Sequence, residues 1–153
     1  MAGIWFRDYT VNDVQQFSHN NMIGHIGIMF TQLGNDYLQG TMPVDNRTTQ
    51  TMGLLHGGAS VVLAETLGSV GANLVVDPAK FACVGLDINA NHLRPVRSGL
   101  VTGTARPVHT GSATQVWNIE ITDEQNRLVC ISRLTMAVLT LKSGQPKNPF
   151  NTL

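Results

Sequence analysis

The sequence predicts an α+β fold in which an antiparallel sheet packs around one long, buried central helix. Three observations carry this. From Gly57 to about Val75 the residues Val61, Val62, Leu63, Ala64, Leu67, Val70, Ala72 and Leu74 run nearly all the way round a helix. A helix apolar on most faces is buried on most faces. After Asp77-Pro78 the chain alternates with the period of two that marks strands. The turns between those strands are short, which implies antiparallel pairing because parallel neighbours need long crossovers.

The elements follow as α-β-β-α-β-β-β-β. Thr10 and Asp13 have the spacing of a capping box, opening a short helix VNDVQQFSH. His25 to Thr31 and Asp36 to Val44 read as strands around a Leu33-Gly34-Asn35 turn, followed by a polar loop, Asp45 to Gln50. Beyond the central helix, Phe81 to Leu93 places Val84, Leu86, Ile88 and Ala90 on one face and Asp87, Asn89 and Asn91 on the other. Leu100 to Val108 follows the turn Arg97-Ser98-Gly99. Thr114 to Thr122 sets Val116 against Trp117, Ile119 and Ile121, and the turn Asp123 to Asn126 leads into Leu128 to Leu141. Residues 1–141 read as a single domain, and 142–153 as a flexible, frayed tail.

Composition narrows the function. Ten basic against ten acidic residues leave no net charge, which argues against nucleic acid or an anionic membrane as partner. Charged residues are 13% of the 153, about half the ~25% of ordinary domains. So few charges suggest that some surface is covered by copies of the same chain. Cys83 and Cys130 are far apart in strand-like runs and read as buried, inert thiols rather than a disulfide or zinc set. Leu54 to Val76 is apolar enough to suggest a membrane span, but its Glu65, His56 and Asn73 argue against one. The N-terminus has no apolar core of signal-peptide length, so the expected location is cytoplasmic.

Glu65 is the only charged side chain from Thr51 to Val76. A lone carboxylate in a buried helix is either paired with an Arg, led to solvent at an interface, or held for chemistry as a general base or nucleophile. Ser69, one turn on, is placed to orient it. The helix starts at His56-Gly57-Gly58, where free N–H groups and a partial positive charge can polarise a carbonyl oxygen. The same glycines also suit a plain loop-to-helix turn. Eight residues separate Gly57 from Glu65, about 12 Å along a helix. If both act on one carbonyl, they come from two subunits, which predicts a shared site at a dimer interface.

The run Leu54-Leu55-His56-Gly57-Gly58-Ala59-Ser60, then Leu63-Ala64-Glu65-Thr66-Leu67-Gly68-Ser69, resembles the hot-dog-fold acyl-CoA thioesterases. It is most similar to the bacterial branch acting on 1,4-dihydroxy-2-naphthoyl-CoA and other aryl-CoAs, including 4-hydroxybenzoyl-CoA and phenylacetate-related types. Thr41 to Asp45, Val84 to His92 and Gln115-Val116-Trp117 extend the likeness across roughly Met22 to Leu139. The resemblance implies thioester hydrolysis with Glu65 as nucleophile or general base, and the Gly57 amide and Gln50 side chain on the thioester carbonyl. His56 would assist near the sulfur or hold the loop, and Ser69 would position Glu65. His92 and Arg94 would line the CoA or acyl channel. It implies no cofactor, since CoA is part of the substrate, and dimers pairing into a homotetramer. It also implies a place in menaquinone biosynthesis.

One departure stands out. Where those relatives have Gln-Pro-Phe-Gly, this chain has Gln50-Thr51-Met52-Gly53. Losing Pro loosens the loop, and Met52 makes a more adaptable wall, so a broader or shifted acyl preference is expected.

Between Asp87 and Glu120 there is no acid, yet His92, Arg94, Arg97, Arg106 and His109 occur. That pattern suits an anionic ligand such as CoA phosphate, or solvated strand edges. The loop His109-Thr110-Gly111-Ser112 offers N–H groups and hydroxyls to the pantetheine or a phosphate. Arg133 reads as structural, paired with an acid in the sheet. The five histidines have no metal-ligand spacing, so no metal is expected. Two rival functions remain: a hydratase or dehydratase on the same fold, with His92 reaching across the interface, and a non-catalytic acyl-CoA-binding module.

Overall fold

The structure, a computed structural model, describes residues 3–142 and 147–153. Helix α1 (Val11–Gln15) continues as a 3-10 turn (Gln16–Ser18), and α2 is Met22–His25. Strands β1 (Met29–Leu33) and β2 (Leu38–Pro43) precede the long α3 (Gly57–Val75). Strands β3 (Phe81–His92), β4 (Leu100–Thr110), β5 (Thr114–Thr122) and β6 (Leu128–Thr140) follow, with a last 3-10 turn at Pro149–Thr152. All six strands form one antiparallel sheet in the order β1-β2-β4-β5-β6-β3, which wraps around α3. This is the hot-dog fold that the sequence implied.

Local chemistry explains most boundaries. Thr10 accepts from Asp13 N–H while Asp13 accepts from Thr10 N–H, the reciprocal capping box expected at α1. The inward positions of β5, Gln115, Trp117, Ile119 and Ile121, are all buried against α3. The helix lies close to the sheet because side chains are missing where the two meet. A Cβ on Gly71 would stand 2.9 Å from the Trp117 ring, and one on Gly103 of β4 would stand 2.6 Å from Leu67. Glycine in a helix or strand interior lowers propensity, so these residues are explained by close approach. Pro107 is accommodated in β4 by a register shift between Pro107 and His109.

Four expectations are corrected. His25 is not in a strand: Asn21 Oδ1 accepts from Ile23 and Gly24 N–H and closes the turn α2, so β1 begins only at Met29. Val84, Leu86, Ile88 and Ala90 do not share a face. Between Gly85 and Asp87 the register with β6 slips by one residue, leaving Leu86 unpaired as a bulge and reversing the parity beyond it. Val84 and Leu86 are therefore exposed, while Ile88 and Ala90 pack on the core. Residues 147–153 of the tail are docked, not frayed, although part of that tail (143–146) lies outside the described residues. Phe150 is buried edge-on to Phe17, Asn148 donates to Asn73 Oδ1 and the Phe81 carbonyl, and Arg7 donates to the Phe150 and Leu153 carbonyls. Arg133 is exposed across from Asn89 and Asn118, with no acid partner among the described residues.

Both cysteines are buried and unlinked. Burial pushes the Cys83 thiol up to about 12 and raises that of Cys130, so neither forms a thiolate readily. Helix α3 has the length and hydropathy of a membrane span, but it is the core helix of the sheet.

Candidate active site

The first turn of α3 presents one free donor. His56 stands as N-cap in extended backbone, and its Nδ1 accepts from Gly58 N–H at 2.8 Å. The His56 N–H donates to the Thr48 carbonyl, and the His56 carbonyl accepts from Ala59 and Ser60 N–H. Gly57 N–H alone in that turn has no acceptor among the described residues. It sits where the helix dipole concentrates positive charge. The His92 ring lies over the same turn, since a Cβ on Gly57 would come within 2.8 Å of its Nε2.

Gln50 reaches the same space from a tight turn. Gly53 N–H donates to the Gln50 carbonyl at 2.9 Å, Gly53 adopts φ +72°, and Gln50 N–H donates to the Leu54 carbonyl. The Gln50 Oε1 accepts from Met52 N–H, which leaves the Nε2 amide hydrogens to point elsewhere. Gln50, Gly57, Ser60, His92 and Arg94 line one cavity of about 330 Å³, walled on its apolar side by Leu54, Leu55 and Val129.

Glu65 opens into a different cavity. Val62, Glu65, Thr66, Ser69 and Val70 form a half-buried stripe at helical spacing on α3, faced by Met22 and Ile23 of α2. Together they line an open groove of about 340 Å³ whose surface is mostly apolar. Among the described residues Glu65 makes no hydrogen bond and belongs to none of the ion pairs, so pairing with an Arg of the same chain does not explain it. The expected hydrogen bond from Ser69 to Glu65 is not formed. The two share the cavity, while the Ser69 carbonyl accepts from Asn73 Nδ2.

Within one chain, then, the structure groups Gln50, Gly57, His92 and Arg94, and separately Glu65 and Ser69; the two cavities share no lining residue. Met52 lines neither and is 70% exposed, so it is no wall in this chain. His109 and Thr110 belong to β4 rather than to a loop, because β4 continues past the Pro107 bulge to its hairpin. Gly111 N–H is already used by the Thr114 carbonyl closing that hairpin. His109, Gly111 and exposed Ser112 line neither cavity. Arg106 is engaged by Asp36 at 2.7 Å and stacks on Tyr37, which removes it from the expected anion set. His56 serves as cap and loop anchor.

Three contributing residues carry no functional signal in the sequence. Met22 and Ile23 are not legible in the sequence, because a helix of four residues shows no periodicity. Asn73 stands out in the sequence only as a polar residue in an apolar run, yet it ties β3 and the tail to α3.

The thioesterase superfamily family model matches residues 52–130. The chain belongs to the thioesterase superfamily. This thioesterase is 52% identical over 136 residues to the 1,4-dihydroxy-2-naphthoyl-CoA hydrolase of Escherichia coli K12, covering 89% of this chain and 99% of the relative. It is 48% identical over 136 residues to a proofreading thioesterase of Cronobacter sakazakii, covering 89% and 98%. A solved thioesterase from Haemophilus influenzae superposes with a TM-score of 0.89 at 47% identity, over 93% of this chain and 99% of that one. The protein is a thioester hydrolase on the hot-dog fold.

Proposed function

We propose that this thioesterase hydrolyses an aryl-CoA, such as 1,4-dihydroxy-2-naphthoyl-CoA, to the free acid and CoA. The proposed active site spans a dimer interface. Water is the second substrate and no cofactor takes part. The observation that carries this reading is the division of labour between the two cavities. One offers two unused donors, Gly57 N–H and Gln50 Nε2. The other holds an unpaired carboxylate in apolar surroundings. About 12 Å of helix rise separates Gly57 from Glu65, so one chain does not bring donors and carboxylate to the same carbonyl, whereas two chains related by a two-fold axis can.

In this arrangement the thioester carbonyl oxygen sits between Gly57 N–H of one protomer and the Gln50 amide, which stabilise the negative charge as it develops. Glu65 of the other protomer approaches the carbonyl carbon. It either attacks to form an acyl anhydride that water then opens, or takes a proton from the attacking water. In both routes the C–S bond breaks, the acyl group leaves with the water oxygen, and CoA leaves as the thiol. The apolar stripe of Val62, Val70, Met22 and Ile23 suits a flat aromatic acyl group. His92 and Arg94 at the other mouth suit the CoA side. The 1,4-dihydroxy-2-naphthoyl group is taken from the name of the Escherichia coli relative, and the place in menaquinone biosynthesis from the family resemblance of the sequence.

Thiol release from a panel of aryl- and aliphatic-CoA esters, comparing wild type with Glu65→Gln, tests the chemistry. Fast release from aryl esters that is abolished in the variant is expected; release that survives the substitution removes Glu65 from the mechanism. Mixing inactive Glu65→Gln chains with inactive Gln50→Ala chains tests the shared site. Mixed dimers carry one intact site each and should regain activity; persistent inactivity after verified exchange would place both groups in one chain.

A further inference from the structure

We infer that Gly85, on the β3 bulge, is a positioning residue for the Glu65 carboxylate: its missing side chain is the space the carboxylate occupies. This rests on the catalytic reading of Glu65 and adds to it a residue on a different element. A Cβ built on Gly85 would lie 2.6 Å from Glu65 Oε1 and 3.7 Å from its Cδ, and would meet nothing else within 4 Å. The backbone of Gly85 does not require glycine either, since its φ lies outside the positive range of the residues that do. Within one chain, neither strain nor core packing therefore explains glycine here. The one group of the same chain that a side chain would meet is the carboxylate.

The bulge is what brings this position to the helix. Cys83 faces the core and Val84 faces away; Gly85 then faces α3, and Leu86 is left without a partner on β6 before Asp87 resumes pairing with Thr135. The slip occurs beside the residue that meets Glu65, as bulges often do next to active sites. Glu65 has no hydrogen bond or ion pair among the described residues to fix it. The β3 backbone at Gly85 is thus the wall against which the flexible carboxylate rests.

An alanine methyl would need ordinary contact at 3.4 Å or more, so Oε1 would have to retreat by about 0.8 Å, the difference from 2.6 Å. Because only the far end of a flexible side chain moves, the fold absorbs the change. Catalysis does not, since a misplacement of about 1 Å can cost on the order of 100-fold in rate.

The test is steady-state kinetics of purified full-length Gly85→Ala, Glu65→Asp, Glu65→Gln and the double variant Gly85→Ala/Glu65→Asp, with melting curves for each. The expected result is a kcat for Gly85→Ala lowered about 100-fold, with KM and melting temperature close to wild type. In the double variant the two losses should fall short of multiplying, because the shorter aspartate no longer meets the methyl. Wild-type kcat in Gly85→Ala, a kcat loss that tracks a lower melting temperature, or losses that multiply would each overturn the inference. Full activity of Glu65→Gln would instead overturn the reading of Glu65 itself.

Discussion

Replacing Asn73 by alanine is expected to lower stability by about 3 kcal/mol. Asn73, 9% exposed on α3, gives β3 what a neighbouring strand would give. Its Oδ1 accepts from Cys83 N–H at 2.9 Å and its Nδ2 donates to the Cys83 carbonyl at 3.0 Å. The same Nδ2 reaches the Ser69 carbonyl at 2.9 Å, and Asn148 Nδ2 donates to Oδ1 at 3.1 Å. Alanine leaves the Cys83 N–H and carbonyl buried without these partners, at about 1–3 kcal/mol each. Better helix propensity returns about 0.5 kcal/mol, and Asn148 keeps the Phe81 carbonyl. For a chain of this size, 3 kcal/mol corresponds to a fall in Tm of about 6–12 °C. Calorimetry at fixed protein concentration measures it, and hydrogen exchange at the Cys83 amide locates it. A fall under about 3 °C, or unchanged exchange at Cys83, would refute the view that this side chain holds β3 to the helix.

Gly71→Ala places a methyl 2.9 Å from a Trp117 ring that is fully buried, tied through Nε1 to Gln115 and stacked on Trp5. Overpacking of about 1–3 kcal/mol should outweigh a helix-propensity gain of about 1 kcal/mol, so the urea midpoint should drop; a rise would mean that the ring yields. Thr51→Pro should stabilise by about 0.4–1 kcal/mol. Thr51 is the second residue of the turn closed by Gly53 N–H, where Pro is favoured, and its own N–H has no acceptor among the described residues. A higher Tm and a sharper ranking across the acyl-CoA panel are expected. Burial pushes the Asp123 carboxyl up, but hydrogen bonds from the Arg127 backbone, the Arg127 side chain and the Gln125 N–H outweigh this and hold it below its usual range. A depressed carboxylate contributes stability above the unfolded value of about 4, lost as pH falls through the folded value. Acid titration of Tm should therefore show a steeper decline below about pH 4 in wild type than in Asp123→Asn; parallel curves would contradict it.

The sequence by itself determined the central helix, the antiparallel sheet and the identity of the chemically marked residues. These are written in local terms: an apolar surface round a helix, a period of two in strands, and a single charge where none is expected. Gly57 and Glu65 were both legible, and so was their separation, because helical rise converts residue count directly into distance. What only the tertiary structure decided depends on pairings between distant segments. The parity of β3 is one: a single unpaired Leu86 exchanges the faces of Val84 and Ile88, and only the register with β6 shows it. The docking of residues 147–153 is another, since Asn148 and Phe150 find partners on α3 and near α1 that no neighbouring residue announces. The same is true of which donors remain free. Gln50 and His56 each spend one acceptor on a backbone N–H. The unused Gly57 N–H and Gln50 Nε2 therefore emerge only when every hydrogen bond in the loop has been assigned. Likewise, Gly85 reads in sequence as a gap in a strand. Its meaning as room for a carboxylate twenty residues earlier in the chain comes from the way the bulged sheet closes over the helix.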